Sequence, residues 1–166
     1  MERSKKVGAA VVVVVVADAS VIVKWFVDEE YTKKALELRQ GYIDGKVDIA
    51  CPSLLPYEVL NALRYNPEFG EEQARIASDA LEKYQLRLYP ILGEMASLCI
   101  KNSFAHGISL YDSSYLSLAE YLGVPLYTAD EKMLVRARGA REEGEEGEEG
   151  EEGGAGNIKH ISAFEA

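Results

Sequence analysis

Apolar positions along the chain alternate between patterns typical of strands and patterns typical of helices. The strongest run is the six consecutive valines at 11–16. β-Branched side chains disfavour helices and pack well on a pleated surface. A strand that is apolar on both faces belongs inside a parallel sheet that helices cover. Shorter apolar runs predict four further strands, at 47–51, 86–89, 124–128 and 158–161.

The segments between these runs carry apolar residues at helical spacing. They predict seven helices, at 19–26, 30–42, 53–66, 71–84, 91–105, 112–122 and 130–138, with Ser53 as the cap of the third. Strands that alternate with helices indicate crossover connections between parallel strands. The pattern therefore predicts an α/β fold, a three-layer sandwich with a central, mostly parallel sheet of about five strands flanked by helices.

Length and composition are those of a single domain with a sizeable core. The chain has 166 residues, of which 48% are hydrophobic. We expect residues 1–10 to be an N-terminal extension and residues 11–166 to form one domain. Cys51 and Cys99 lack disulfide or metal-type spacing, which favours a cytoplasmic protein. The longest apolar run, 8–17, is too short for a membrane span of about 20 residues, so we interpret it as a buried strand.

The net charge of −10 argues at first against a nucleic-acid partner, because phosphate binding depends on Lys and Arg. However, residues 141–156 contain eight Glu and one Arg, a net −7, which leaves −3 for the other 150 residues. Residues 142–153 are four copies of Glu-Glu-Gly. Such a run has no apolar face and repels itself, so it predicts a flexible acidic insertion before the last strand. The acidic balance therefore does not exclude RNA.

Deleting residues 142–153 is expected to leave the fold intact, because the repeat has no apolar side chain to pack. Thermal unfolding of the full and shortened chains measures this directly. A large loss of thermal stability in the shortened chain would contradict the prediction.

Four carboxylates fall where an open parallel sheet binds ligands, beyond the carboxyl ends of its strands. Asp18 directly follows the valine strand, and Asp130 follows the fourth predicted strand. Asp112 begins the helix before that strand, and Glu58 lies one to two turns into the third helix. If the first and fourth strands are neighbours, Asp18 and Asp130 converge. Each aspartate could instead only cap its helix, and Glu58 could be a solvated helix position.

Four carboxylates in one place need a cation, and oxygen ligands suit Mg2+ or Mn2+. One or two such ions activate water and stabilise charge in phosphodiester cleavage. Ser20 and Thr128 add neutral oxygens beside the two strand-end aspartates, and Asn61 follows Glu58 at i+3. Four basic side chains on nearby helices either line a phosphate channel or belong to ordinary surface: Lys24, Arg64, Lys132 and Arg136.

Four stretches of the chain together resemble PIN-domain proteins of the VapC toxin type. They read DASVIVKWF from residue 18, PSLLPYEVLNAL from 52, YDSSYLSLA from 111 and LYTADEKML from 126. They follow the order of the family and cover about 11–138 plus the last strand. The resemblance implies a sheet of about five parallel strands and a Mg2+- or Mn2+-dependent endoribonuclease.

Carried over position by position, the resemblance implies a catalytic and metal-binding set formed by Asp18, Glu58, Asp112 and Asp130. Ser20 and Thr128 match small hydroxyl positions beside that set, and Asn61 matches a family asparagine. The resemblance further implies an RNA substrate, a small antitoxin protein as partner and a homodimer. The residues before the valines and the Glu-Glu-Gly insertion depart from the family pattern.

Three alternatives stay open at this point. One is a stand-alone PIN nuclease in RNA processing, and another is a non-catalytic PIN-like binding module. The third is a metal-dependent phosphatase, which would need a second aspartate two residues after Asp18. Ser20 occupies that position, which argues against the phosphatase.

Overall fold

A computed structural model describes residues 12–142 and 157–165. The predicted extension at 1–10 and most of the acidic insertion, 143–156, lie outside the described residues. The described strands form one five-stranded sheet: β1 (Val13–Ala17), β2 (Val47–Pro52), β3 (Arg87–Tyr89), β4 (Leu126–Thr128) and β5 (Ile158–His160). Their order is β3-β2-β1-β4-β5, and every neighbouring pair is parallel.

Seven helices flank this sheet in the part of the chain described. They are α1 (Ala19–Val23), α2 (Thr32–Ile43), α3 (Leu55–Tyr65), α4 (Glu71–Tyr84), α5 (Gly93–His106), α6 (Leu110–Leu122) and α7 (Glu131–Glu142). The predicted α/β sandwich with a parallel sheet of five strands is thereby confirmed. No helix within 12–142 or 157–165 is long and apolar enough to cross a membrane.

Several helix ends differ from their predicted positions, and the hydrogen bonds give a local reason for three of them. After Val23 the chain tightens into i→i+3 hydrogen bonds, such as Phe26 N to Val23 O at 2.9 Å, so α1 is shorter than predicted. Ser109 accepts the Asp112 N–H at 3.0 Å, so α6 begins two residues earlier than predicted. Ser53 does not cap α3, because that helix starts after Leu54 without a side-chain cap.

The valine strand lies in the middle of the sheet, between β2 and β4. Val15 and Val16 point to opposite faces of the sheet and are both buried, whereas Val13 at the start of the strand is 54% exposed. On its β1 side, strand β4 pairs with the last two residues of β1, where Val16 is opposite Leu126. This register brings the residues that follow β1 and β4 to the same edge of the sheet.

The strand order reverses between β1 and β4. From β1 the chain builds β2 and β3 on one side, then returns to add β4 and β5 on the other. In open α/β sheets the crevice beyond the carboxyl ends at such a reversal is the usual ligand site. The fold therefore places the candidate site at the ends of β1 and β4.

Candidate metal centre

Asp18 is a buried carboxylate at the carboxyl end of β1, only 5% exposed. Its Oδ1 caps α1 by accepting the Val21 N–H at 3.3 Å, and it accepts the Ser20 hydroxyl at 2.5 Å. Burial raises the pKa of Asp18 from 3.8 to about 6. Hydrogen bonds from Ser20, Thr128 and Val21 oppose this rise. A buried carboxylate with a raised pKa is a group whose charge a cation would stabilise.

Asp130 follows β4 and lies at the same edge of the sheet. Its charge contributes to the raised pKa of Asp18, so the two carboxylates interact. Its Oδ1 accepts the backbone N–H groups of Lys132 at 2.9 Å and Met133 at 3.2 Å, which caps α7. Each of the two aspartates therefore caps a helix and also lies at the shared edge of the sheet, because α1 and α7 begin at that edge.

Two hydroxyl side chains connect the ends of β1 and β4. Ser20 Oγ accepts the Ala129 N–H at 2.8 Å and lies 3.4 Å from Thr128 Oγ1. Thr128 Oγ1 in turn accepts the Asp130 N–H at 2.9 Å. Ser20 and Thr128 thus lie between Asp18 and Asp130, where the sequence predicted neutral oxygens.

Glu58 and Asp112 form a second pair of carboxylates, carried by α3 and α6. Burial raises the pKa of the half-buried Glu58, and the Asp112 charge adds to that rise, while a hydrogen bond from Tyr115 lowers it. Tyr115 donates its hydroxyl to Glu58 Oε2 at 2.5 Å. Asp112 lies in the first turn of α6, where its Oδ2 accepts the Ser109 hydroxyl at 2.9 Å.

Tyr115 is the residue that sequence reasoning missed. It is 2% exposed. Burial raises its pKa, with further contributions from the charges of Glu58 and Asp18, so its phenol is within electrostatic reach of both carboxylate pairs. The signal that could have identified it is its position three residues after Asp112, which puts both on one face of α6.

Electrostatic interactions link the predicted quartet as two pairs, Asp18 with Asp130 and Glu58 with Asp112. Across residues 12–142 and 157–165, no three carboxylate, imidazole or thiol groups are close enough to hold one ion together. Mg2+ is usually held by one or two carboxylates, with water and substrate phosphate completing its shell. The all-oxygen donor set of each pair fits such an ion.

An open cleft of about 750 Å3 adjoins Asp130. It mixes basic and acidic side chains, and its lining includes Ser20, Lys24, Glu29, Asp130, Glu131 and Lys132. Lys24 is buried and its Nζ pairs with Glu29 Oε1 at 2.8 Å. Of the four basic side chains singled out in the sequence, Lys24 and Lys132 line this cleft.

The other predicted substrate-side residues lie on the surface of α3 and α7. Asn61 and Arg64 are exposed on α3, with the Arg64 guanidinium 5.7 Å from the centre of the Tyr65 ring. Arg136 is exposed on α7, one turn after Lys132. These three residues are not among those that line the cleft beside Asp130.

Known proteins are similar to this chain over the region that contains the four carboxylates. The family described as PIN domain matches residues 15–139, which contain all four carboxylates. The chain belongs to the PIN domain family. The resemblance seen in the sequence is confirmed, and strand β5 extends the PIN sheet beyond the matched residues by pairing with β4.

Two relatives of this PIN-domain chain are named ribonucleases. It is 38% identical over 85 residues to ribonuclease VapC1 of Mycobacterium tuberculosis, a match that covers 49% of this chain and 62% of that protein. It is 29% identical over 122 residues to ribonuclease VapC3 of Pyrobaculum aerophilum, covering 71% of this chain and 90% of that one. The chain thus spans less than two thirds of VapC1.

The fold is also similar to a solved complex. VapBC2 from Rickettsia felis, crystallised with a DNA fragment from the promoter of its genes, superposes with a TM-score of 0.54. The match covers 74% of this chain and 92% of that one at 15% identity, and this level of identity supports the fold alone.

Proposed function

We propose that this PIN-domain protein is an endoribonuclease that hydrolyses RNA phosphodiester bonds with one or two Mg2+ or Mn2+ ions. The observation that carries the proposal is the meeting of Asp18 and Asp130 at the ends of β1 and β4, with Asp18 buried. A binding module has no evident need for a buried carboxylate beside a second one. The ribonuclease names of two relatives support RNA as the substrate class.

Each carboxylate pair has a distinct part in this proposal. A bound ion would supply Lewis-acid stabilisation and a more acidic water at the scissile phosphate. Asp18 and Asp130 hold the cation, and Ser20 and Thr128 fix their positions through the hydroxyl contacts between the strand ends. Glu58 and Asp112 hold a second ion or orient the attacking water.

The basic side chains contribute to RNA binding at two places. Lys24 and Lys132 line the cleft beside Asp130, where a phosphate next to the metal centre would lie. Arg64 and Arg136 are exposed on α3 and α7 and contact RNA farther from the centre. Asn61, exposed one turn after Glu58, is a hydrogen-bond donor for a phosphate or for a carboxylate of the centre.

The nuclease proposal is tested by incubating the purified chain with end-labelled RNA in Mg2+, in Mn2+ and in EDTA. We expect cleavage with either ion and none in EDTA. Binding of Mn2+ and RNA without any cleavage would favour the non-catalytic binding module. Cleavage in EDTA at the rate seen with the ions would remove the metal from the mechanism.

Replacing Glu29 with glutamine is expected to tighten RNA binding several-fold. Glu29 pairs with Lys24 in the cleft, so the substitution removes the negative charge that compensates the Lys24 ammonium and leaves that positive charge to attract a phosphate. One added contact steepens the fall of log K with log [salt] by about 0.7 on single-stranded RNA. Fluorescence anisotropy with a cleavage-resistant RNA, over a series of salt concentrations, measures both effects.

The matched control for Glu29→Gln is Glu37→Gln, which breaks the surface pair of Lys34 and Glu37 and changes the net charge equally. We expect little effect from it, because neither residue lines the cleft. Equal gains in the two variants would mean that general charge, and not Lys24, determines the affinity.

We further propose that the chain is the toxin of a cytoplasmic toxin–antitoxin pair, that it forms a homodimer and that a small antitoxin protein is its partner. The VapC names of its relatives support this class. The test is whether the product of a small neighbouring gene co-purifies with the chain and suppresses its cleavage of RNA. An active nuclease without such a gene would favour a stand-alone role in RNA processing.

A further inference from the structure

The buried Tyr115 hydroxyl donates to a carboxylate and not to a backbone carbonyl. Tyr115 is 2% exposed and donates to Glu58 Oε2 at 2.5 Å, which connects α6 to α3. Tyr42, by contrast, donates to the backbone carbonyl of Tyr84 at 2.7 Å, away from the carboxylates. A carbonyl partner only satisfies the hydroxyl, whereas a carboxylate partner is itself held in place by the bond.

The bond restricts a side chain that would otherwise be mobile. A glutamate has three rotatable side-chain bonds, and fixing such a chain costs conformational entropy. The Tyr115 ring is enclosed in the core, so its hydroxyl is a fixed point. With Oε2 engaged by Tyr115, Oε1 becomes the Glu58 oxygen for a ligand, and the nearby Asp112 carboxylate raises the pKa of Glu58.

We propose that Tyr115 is a positioning residue of the metal centre, which holds the Glu58 carboxylate ready to bind a divalent cation together with Asp112. The inference rests on the proposed function, because it concerns the same centre. Carboxylates that bind metals are commonly oriented by hydrogen bonds from neighbouring groups, and losing such a partner typically costs ten- to a hundredfold in metal affinity. Tyr115 acts through Glu58 and touches neither metal nor RNA.

The decisive experiment measures Mn2+ affinity of the full chain by isothermal titration calorimetry. Tyr115→Phe is expected to weaken Mn2+ binding about ten- to a hundredfold, because the carboxylate loses its fixed donor. The matched control is Tyr42→Phe, which also removes the hydrogen bonding of a tyrosine hydroxyl but leaves the centre untouched. We expect wild-type Mn2+ affinity in that control, even if its thermal stability falls as much as that of Tyr115→Phe.

Glu58→Gln supplies the second arm, because it shows whether Tyr115 acts through Glu58. It should itself weaken Mn2+ binding, and adding Tyr115→Phe to it should change the affinity no further. If Tyr115→Phe does not fold, Glu58→Asp shortens the side chain beyond the reach of Tyr115 while keeping its charge. Its Mn2+ affinity should fall at least about tenfold.

The outcomes separate this inference from the function on which it rests. Absence of Mn2+ binding in the wild-type chain would overturn the proposed metal centre and this inference together. Mn2+ binding by the wild-type chain, with unchanged affinity in Tyr115→Phe or Glu58→Asp, would overturn the role of Tyr115 alone. An equal loss in Tyr115→Phe and Tyr42→Phe would reduce that role to general stability.

Discussion

Replacing Asp18 with asparagine is expected to reduce metal-dependent RNA cleavage at least about a hundredfold while the protein stays folded. Asparagine keeps the side-chain oxygen that accepts from Val21 N and Ser20 Oγ, and it is as good a helix cap as aspartate. It lacks the negative charge that would hold the cation. A bound metal contributes several kcal/mol to stabilising the transition state. Every loss of about 1.4 kcal/mol lowers the rate tenfold.

The measurement is single-turnover cleavage of a labelled RNA in Mg2+. Asp48→Asn is the matched control, because Asp48 lies near the start of β2, opposite Val14, and pairs with Arg87. It removes the same charge from the same sheet but away from the strand ends that form the centre. Wild-type cleavage by the Asp18 variant, or an equal loss in the Asp48 variant, would contradict the assignment of Asp18.

The same substitution is expected to stabilise the metal-free protein at neutral pH by about 3 kcal/mol. The pKa of Asp18 is about 6 in the folded chain against an ordinary value of 3.8, because burial disfavours its charge. Between these two values the folded state binds more protons than the unfolded state. The contribution of Asp18 to stability is therefore complete below pH 3.8 and is lost as the pH rises through 6. A difference of about two pKa units corresponds to about 3 kcal/mol.

Urea unfolding in EDTA, from pH 4 to pH 7, tests this expectation. Comparing wild type with Asp18→Asn at each pH isolates the effect of the Asp18 charge, including its interaction with Asp130. The stability advantage of the variant should grow from near zero at pH 4 to its full value at pH 7. Addition of Mn2+ at pH 7 should then stabilise the wild-type chain more than the variant, as expected for an ion that the folded state binds through Asp18. A variant less stable than wild type at pH 7 in EDTA would contradict the account.

The charge of Asp18 thus destabilises the metal-free folded protein at neutral pH. Local preferences agree with the fold through most of the chain, and places where they conflict are commonly functional sites. Asp18 is well suited to cap α1, yet an uncharged cap would serve that helix better at neutral pH. A function in cation binding would explain why the chain carries this charge although it lowers the stability of the folded state.

Much of the fold could be predicted from the chain itself. The β-branched run at 11–16 has no polar face, so its strand had to lie in the sheet interior, between two other strands. Helical spacing gave seven helices at nearly their observed places. Their ends were less predictable, because the tight turn after Val23 and the Ser109 cap depend on single hydrogen bonds that hydrophobic periodicity does not encode.

The sequence by itself determined which chemistry the site offers, since carboxylates follow the first and fourth strands whatever the strand order. Only the tertiary structure decided that β1 and β4 are neighbours, that Asp18 is buried beside Asp130, and that the four acids interact as two pairs. It also placed Tyr115 on Glu58, 57 positions away along the chain. The physical reason is that strand order, register and helix packing arise from contacts between distant segments. Periodicity reports only which face of each segment is buried.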